Sequence, residues 1–312
     1  MNAMPTASTL TSFGPGKVIL LGEHAVVYGE PALAGPLSLG VTAQSSKAFR
    51  SQLKIPSQVR GRGRKLLTQA FNRAASACGN PKVSVAVSSD LPIAMGLGSS
   101  AALSVACARV LLRAAQRPEK PAEVIRVAGE MEREFHGQAS GLDHTCSALG
   151  KLILFRRPPG AAAPSIRAVR STRPLRLLVA LTGDRGPTWK TVAELRMRIA
   201  RWPSRYHGLI REVGQLAREG AREIERGDLD ALGDAMNVNH GVLNALGVSS
   251  GPIEEMVHRL RRLGALGAKL TGAGGEGGAV IGLFFEPELA LFKLTQAGVK
   301  CFVSQVAGPQ AL

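Results

Sequence analysis

The stretch from Asp90 to Leu103, Asp-Leu-Pro-Ile-Ala-Met-Gly-Leu-Gly-Ser-Ser-Ala-Ala-Leu, constrains the fold of this chain more than any other, because it joins a strand to a helix through a glycine-serine bend. Upstream, Val83, Val85 and Val87 alternate with Ser84, Ala86 and Ser88, the period of a strand. Downstream, Ala102, Leu103, Val105, Ala106, Val110 and Leu111 recur on one side of a helix running from Ser99 to about Gln116. Gly96 and Gly98 carry no Cβ, so the backbone between the two elements can take positive φ and admit a bulky anion to its amides. An anion there meets unpaired N–H groups and the positive end of the helix dipole.

The same residues also suit an ordinary loop with a serine cap, and on their own they leave that choice open. No Walker A lysine succeeds the glycines, so charge neutralisation must come from elsewhere. Gly96-x-Gly98-x-x-Ala101 fits the dinucleotide fingerprint as well, which requires a strand ending in an acid soon after the helix. The chain instead continues into a polar connector from Arg113 to Lys120 and a second amphipathic helix from Pro121 to about Phe135. The dehydrogenase reading therefore lacks its second half.

A length of 312 residues predicts two domains, and 45% hydrophobic against 20% charged residues predicts folded cores. The boundary falls in Arg156 to Arg173, which opens with Pro158-Pro159-Gly160 and lacks apolar periodicity over its first part, giving domains 1–165 and 166–312. A formal charge of +16 favours acidic partners: nucleic acid, a membrane face or a phosphorylated small molecule. Only 4% of residues are aromatic, so stacking platforms for nucleic acid are scarce. The densest cluster, Arg60 to Lys65, reads as a solvated loop leading into a helix; a basic nucleic-acid-binding protein is the alternative from a different class. Cys78, Cys107, Cys146 and Cys301 form no metal-ligand pattern and read as buried thiols of a reducing compartment. With no signal-like layout over Met1 to Ser12 and no membrane-spanning run, the expectation is a cytoplasmic protein with neither membrane nor nucleic acid as partner.

Short apolar runs predict strands at Lys17–Leu21, Leu37–Ala43, Lys151–Phe155 and Leu175–Leu181. Thr188 to Arg262 reads as several helices broken at Pro203, Gly227-Asp228 and Gly251-Pro252. A second glycine-rich turn, Gly272 to Gly278, precedes the apolar run Ala279 to Phe285.

Three segments hold groups that phosphoryl transfer needs: Pro15-Gly16-Lys17-Val18-Ile19-Leu20-Leu21-Gly22-Glu23-His24-Ala25-Val26-Val27-Tyr28-Gly29, the Gly-Leu-Gly-Ser-Ser loop, and Lys269-Leu270-Thr271-Gly272-Ala273-Gly274-Gly275. Together they resemble the GHMP small-molecule kinases. Glu132 to Asp143 and Met236 to Ser249 are similar to further segments of that family, so the resemblance runs from about Pro15 to Phe284. Galactokinases usually continue after Glu-His with Thr-Asp, whereas Ala25-Val26-Val27-Tyr28-Gly29 looks like the mevalonate branch; homoserine kinases lack a base at the position of Asp143.

The resemblance implies a two-domain α+β GHMP kinase fold, with a ribosomal-protein-S5-like nucleotide-binding domain, a C-terminal α+β domain and the active site in the cleft. It implies ATP-dependent phosphorylation of the C5 hydroxyl of mevalonate in isoprenoid synthesis, with phosphomevalonate or another small alcohol as the alternative acceptor. ATP and mevalonate are then the partners, Mg²⁺ the cofactor, and a homodimer is compatible. Asp143, which local sequence alone favours as a helix cap, matches the general base, and Lys17 matches the lysine beside it. Gly96, Leu97, Gly98, Ser99, Ser100 and Ala101 form the phosphate cradle. Ser100 and Glu132 match metal ligands, although Glu132 in isolation reads as a solvent-facing helix residue like Glu130 and Glu134. Lys17, Glu23, His24, Asp143, Thr188 and Ala273 match the substrate pocket; His24 alone suits a structural role equally, and His136 and His144 read as structural. Arg185, near Thr188, is read as a partner for the substrate carboxylate, since a guanidinium fits a carboxylate bidentately. Two departures stand out: Glu276 replaces a usual glycine and is expected to point outward, and Pro187 stands where serine is often found.

Overall fold

A computed structural model describes residues 9–92, 95–136, 140–183, 186 and 188–307, with the backbone alone for Thr188 and Ala307. The chain forms two compact units, one built from Met1–Gly16, Leu39–Pro92 and Gly98–Gly150, the other from Lys17–Ser38, Ile93–Leu97 and Lys151–Leu312. Strands β1 (Thr11–Leu21) and β2 (Ala32–Lys47) each contribute residues to both.

In the first unit, Val41–Lys47 of β2 pair antiparallel with β4 (Val83–Ser89), and β3 (Gln52–Lys54) lies parallel to the other edge of β4. Helices α1 (Gly61–Ala77), α2 (Ser99–Ala114), α3 (Pro121–His136) and α4 (Leu142–Leu149) pack together. Small residues, Ala101, Ala102, Ala106 and Ala108, share the buried side of α2 with Val105, Val110, Leu111 and Leu112, and let backbone come close. A Cβ on Gly14 of β1 would stand 2.1 Å from the carbonyl oxygen of Ala102, so only glycine fits there. A core packed at this distance has little room for rings, consistent with the low aromatic content. Burial in α2 pushes the Cys107 thiol up to about 12.

The cluster Arg60–Lys65 departs from its loop reading: Arg60 is the N-cap and Gly61 to Lys65 form the first turns of α1. Two glycines disfavour a helix there, but the apolar face of Ala70, Phe71, Ala74 and Ala75 is buried, and packing of that face outweighs local propensity.

In the second unit, β7 (Leu175–Thr182), β8 (Gly267–Thr271), β9 (Gly278–Phe284) and β10 (Cys301–Ala307) form an antiparallel sheet in the order β10-β7-β9-β8. Elsewhere in this unit Ala32–Ala34 of β2 pair with β5 (Ile153–Arg156), which pairs with β6 (Ser165–Ala168), a strand inside the proline-glycine connector that periodicity does not reveal. Helices α5 (Thr188–Arg201), α6 (Pro203–Arg226), α7 (Leu229–Ala245) and α8 (Gly251–Arg262) are separated near the anticipated breakers. Gly227 ends α6 in the left-handed region, and Asp228 caps α7 by accepting a hydrogen bond from the Ala231 amide. A short helix α9 (Glu288–Gln296) and strand β10 complete the unit and have no counterpart among the sequence expectations. Cys301, in β10, is half-buried, unlike the other three cysteines.

Strand β8 lies at the end of its sheet, and α7 covers its outer side with side chains. Asn237 Oδ1 accepts from the Ala268 amide at 3.1 Å, and His240 Nδ1 accepts from the Leu270 amide at 3.4 Å. Two amides of an edge strand are thereby satisfied without a fifth strand. An accepting Nδ1 requires a neutral ring, and burial lowers the His240 pKa from 6.5 to about 4, opposed by Glu254, whose Oε1 lies 3.1 Å from Nε2.

Because the folded-state pKa lies below the unfolded value, the unfolded chain binds the extra proton first on acidification, so this stabilisation is present above about pH 6.5 and is lost as pH falls toward about 4. Thermal unfolding followed across that range should show a falling midpoint in the native chain and a flatter one in His240→Asn, which keeps an acceptor near Nδ1. Equal slopes would remove His240 as the source.

Candidate active site

Gly96 and Gly98 take φ of 81° and 75°, the conformation anticipated for the bend. Gly98 is the N-cap of α2 and has no side chain to offer its amides, and Ser99 Oγ donates to the Pro92 carbonyl at 3.2 Å. The hydroxyl of Ser99 is thus turned to its own loop, and unpaired amides at the start of a helix are where an anion is favoured.

Lys17 is 3% exposed, although a lysine opening an apolar run is ordinarily solvated at its tip. Its ammonium donates to the Gly96 carbonyl at 3.1 Å, and its amide donates to the Leu97 carbonyl at 2.9 Å. Strand β1 thus holds a cation at the first glycine of the loop. The third motif meets the same strand further along: Thr271 Oγ1 lies 3.0 Å from both the amide and the carbonyl oxygen of Ile19. Gly272, at φ 82°, approaches the loop so closely that a Cβ would sit 3.3 Å from the Gly96 oxygen. His24 Nε2 is 3.0 Å from the Ala273 carbonyl oxygen. Three segments far apart in the chain are therefore brought together within the second unit, carrying Lys17, Gly96, Leu97, His24 and Ala273.

Glu23 is wholly buried. Its Oε1 accepts from Lys269 Nζ in a close ion pair, and its Oε2 accepts from Asn239 Nδ2 at 3.3 Å. Burial raises the Glu23 carboxyl and lowers the Lys269 ammonium, and their mutual attraction opposes both shifts. Both oxygens of Glu23 are used inside the fold, whereas the family resemblance sets this residue against substrate.

In the first unit, Glu132 is 2% exposed, which removes its solvent-facing reading. Neighbouring Glu130 and Glu134 are half-buried and pair with Arg73, with Arg133 also on Glu130. Ser104 Oγ lies 3.2 Å from Glu132 Oε1 and 2.8 Å from the Ser100 carbonyl oxygen, so its single proton serves one at a time. His136 Nε2 lies 3.0 Å from Ser100 Oγ and 3.8 Å from Glu132 Oε2, which places a residue read as structural between the two anticipated metal ligands. Among the described residues no group of three or more His, Cys, Asp or Glu could hold a metal. The Ser100 hydroxyl and the buried Glu132 carboxylate, each near the same His136 nitrogen, are nevertheless hard-oxygen donors of the kind Mg²⁺ takes from protein when phosphates and water complete its shell.

Asp143 is the second residue of α4, half-buried, and Gly141 at φ 92° occupies the cap position. The capping reading of Asp143 therefore fails, while a carboxylate in a first helical turn is favoured by the dipole. Thr188 opens α5; Arg185 and Pro187 lie outside the described residues. Glu276 points to solvent and pairs with Lys190 at 3.0 Å. Sequence reasoning missed Lys269 and Asn239. The signals available were a lysine within an otherwise apolar strand and an asparagine three residues after Met236 on the face of α7 that is buried.

The GHMP kinases N terminal domain matches residues 65–151, and the GHMP kinases C terminal domain matches residues 220–300. A protein of Aeropyrum pernix named mevalonate kinase is 36% identical over 94% of both chains. A mevalonate kinase of Thermococcus sibiricus is 32% identical over 84% of this chain and 86% of its own. The crystal structure of L. major mevalonate kinase in complex with R-mevalonate superposes with a TM-score of 0.84 at 27% identity, covering all of both chains.

An exposed ion pair between Glu276 and Lys190 holds little energy. Glu276→Gly, which restores the usual glycine, should leave the thermal midpoint and the KM for nucleotide unchanged within error. A several-fold change in that KM would show the carboxylate reaching the nucleotide.

Proposed function

The chain belongs to the GHMP kinase family, and we propose that it transfers the terminal phosphoryl group of ATP to the C5 hydroxyl of mevalonate. The observation that carries this reading is the buried Lys17 ammonium at the first glycine of an uncapped glycine-serine loop. The relatives named mevalonate kinase and the R-mevalonate bound to the L. major enzyme supply the acceptor. Residues 1–165 are taken as the nucleotide-binding domain and 166–312 as the C-terminal domain, in keeping with the matched segments 65–151 and 220–300.

Phosphoryl transfer asks the protein for positioning, charge neutralisation and a prepared nucleophile. The backbone of Gly96 to Ala101 cradles the phosphates at the amide end of α2. Asp143 accepts the C5 hydroxyl proton as that oxygen forms its bond to phosphorus, and the bond to the bridging oxygen of ADP breaks with its electron pair. Lys17 lowers the pKa of the hydroxyl and stabilises the charge growing on the transferred group. Ser100 and Glu132 would hold Mg²⁺, which when bound neutralises phosphate charge. His24 and Ala273, with Thr188, line the acceptor pocket. Among the described residues no helix is long and apolar enough to cross a membrane. The cytoplasm is the proposed compartment, a reducing one that suits the buried thiols of Cys78, Cys107 and Cys146.

Asp143→Asn should fold with an unchanged circular-dichroism spectrum and lose roughly 10²–10⁴-fold in kcat in a coupled ADP-release assay with R-mevalonate. Retained turnover would refute the assigned base, and turnover of ATP with phosphomevalonate in preference to mevalonate would refute the acceptor. Glu132→Gln should raise the Mg²⁺ concentration giving half-maximal rate by about tenfold or more.

A further inference from the structure

We infer that Lys269 and Asn239 are positioning residues for the acceptor pocket, acting through Glu23 to lock a strained turn at His24; the inference rests on the reading of His24 as a pocket residue. His24 has φ 60° and ψ −42°, and the amide of Ala25 donates to the Glu23 carbonyl across it at 2.6 Å. This is a γ-turn with positive φ at its centre, a form that is rare and strained for an L residue and persists only where its surroundings dictate it.

Glu23 supplies that anchor. One carboxylate oxygen meets Lys269 and the other meets Asn239 at 3.3 Å, so the side chain cannot rotate without breaking one bond or the other. Lys269 is itself held, donating to the Leu270 carbonyl at 2.6 Å. Glu23 and Lys269 are both 0% exposed, so neither acts as a solvent-facing charge and neither can leave without stranding the other. The turn fixed in this way aims the imidazole at the Ala273 carbonyl, 3.0 Å from Nε2, and so sets where the ring stands in the pocket. A buried pair used only for packing could be replaced by apolar residues at little cost. One that also fixes the turn at His24 cannot be replaced without moving the ring.

The test compares native protein with Asn239→Ala and with the double variant Glu23→Gln/Lys269→Met, which removes both charges together and so avoids a stranded ion. His24 imidazole resonances are recorded by NMR on ¹⁵N-histidine-labelled, ligand-free protein and assigned with His24→Gln; KM is then measured separately for R-mevalonate and ATP. Both folded variants should shift the His24 resonances and raise the KM for R-mevalonate roughly tenfold, with the KM for ATP within about twofold of native. Unchanged His24 resonances in both variants overturn the inference, as does an equal rise in both KM values, which marks general loosening. If native protein releases no ADP with R-mevalonate while the variants still shift His24, the substrate assignment fails and the positioning role stands.

Discussion

A carboxylate and an ammonium that are both fully buried must find each other, because either one left alone costs far more than the pair. Glu23 and Lys269 stand in this relation across 246 residues of sequence. Their pairing sets the segment after β1 beside the segment that β8 begins. Adjacent contacts extend the same alignment: Thr271 with Ile19, and Ala273 with His24. The glycine-rich turn after β8 reaches Gly96 by the same route, since Gly272 has no side chain to keep the two backbones apart.

A second requirement concerns the glycine-serine loop. Its glycines hold positive φ, and Gly98 caps α2 without offering a side chain to the free amides. A loop of this kind holds an anion well only with a fixed cation nearby, and there is no Walker lysine within it. Lys17 brings a cation to Gly96 from β1, its tip tied to the Gly96 carbonyl and its own amide to Leu97. One strand thus carries the cation and leads directly into the anchored turn at His24.

The legible parts of the chain are those where local pattern and tertiary demand agree. The valine alternation before Asp90, the apolar face of α2, and the breaks at Pro203 and Gly227 lie close to where pattern puts them, because turn chemistry and periodicity act over a few residues. Strand β6 and strand β10 escape notice because each is defined by its partner, β5 or β7, and carries little signal of its own. The charged start of α1 looks like a loop because the packing that holds it lies a turn or more downstream, at Ala70 and Phe71. In the site, Glu132 resembles Glu130 and Glu134 in sequence, and only burial separates it from them.

By itself the sequence determined the chemistry available: a glycine-serine bend opening a helix, a lysine at the head of an apolar strand, an aspartate after Ser-Gly-Leu, and five segments in an order that resembles one kinase family. Those features rest on backbone conformation and residue type, which are local properties. Tertiary structure alone decided which charges are buried and what they meet. It turned Glu23 inward to Lys269 and Asn239, put His136 beside Ser100, and let Glu276 face solvent with Lys190. Burial and pairing arise from segments distant in the chain coming together, and no window of sequence contains both halves of such a contact.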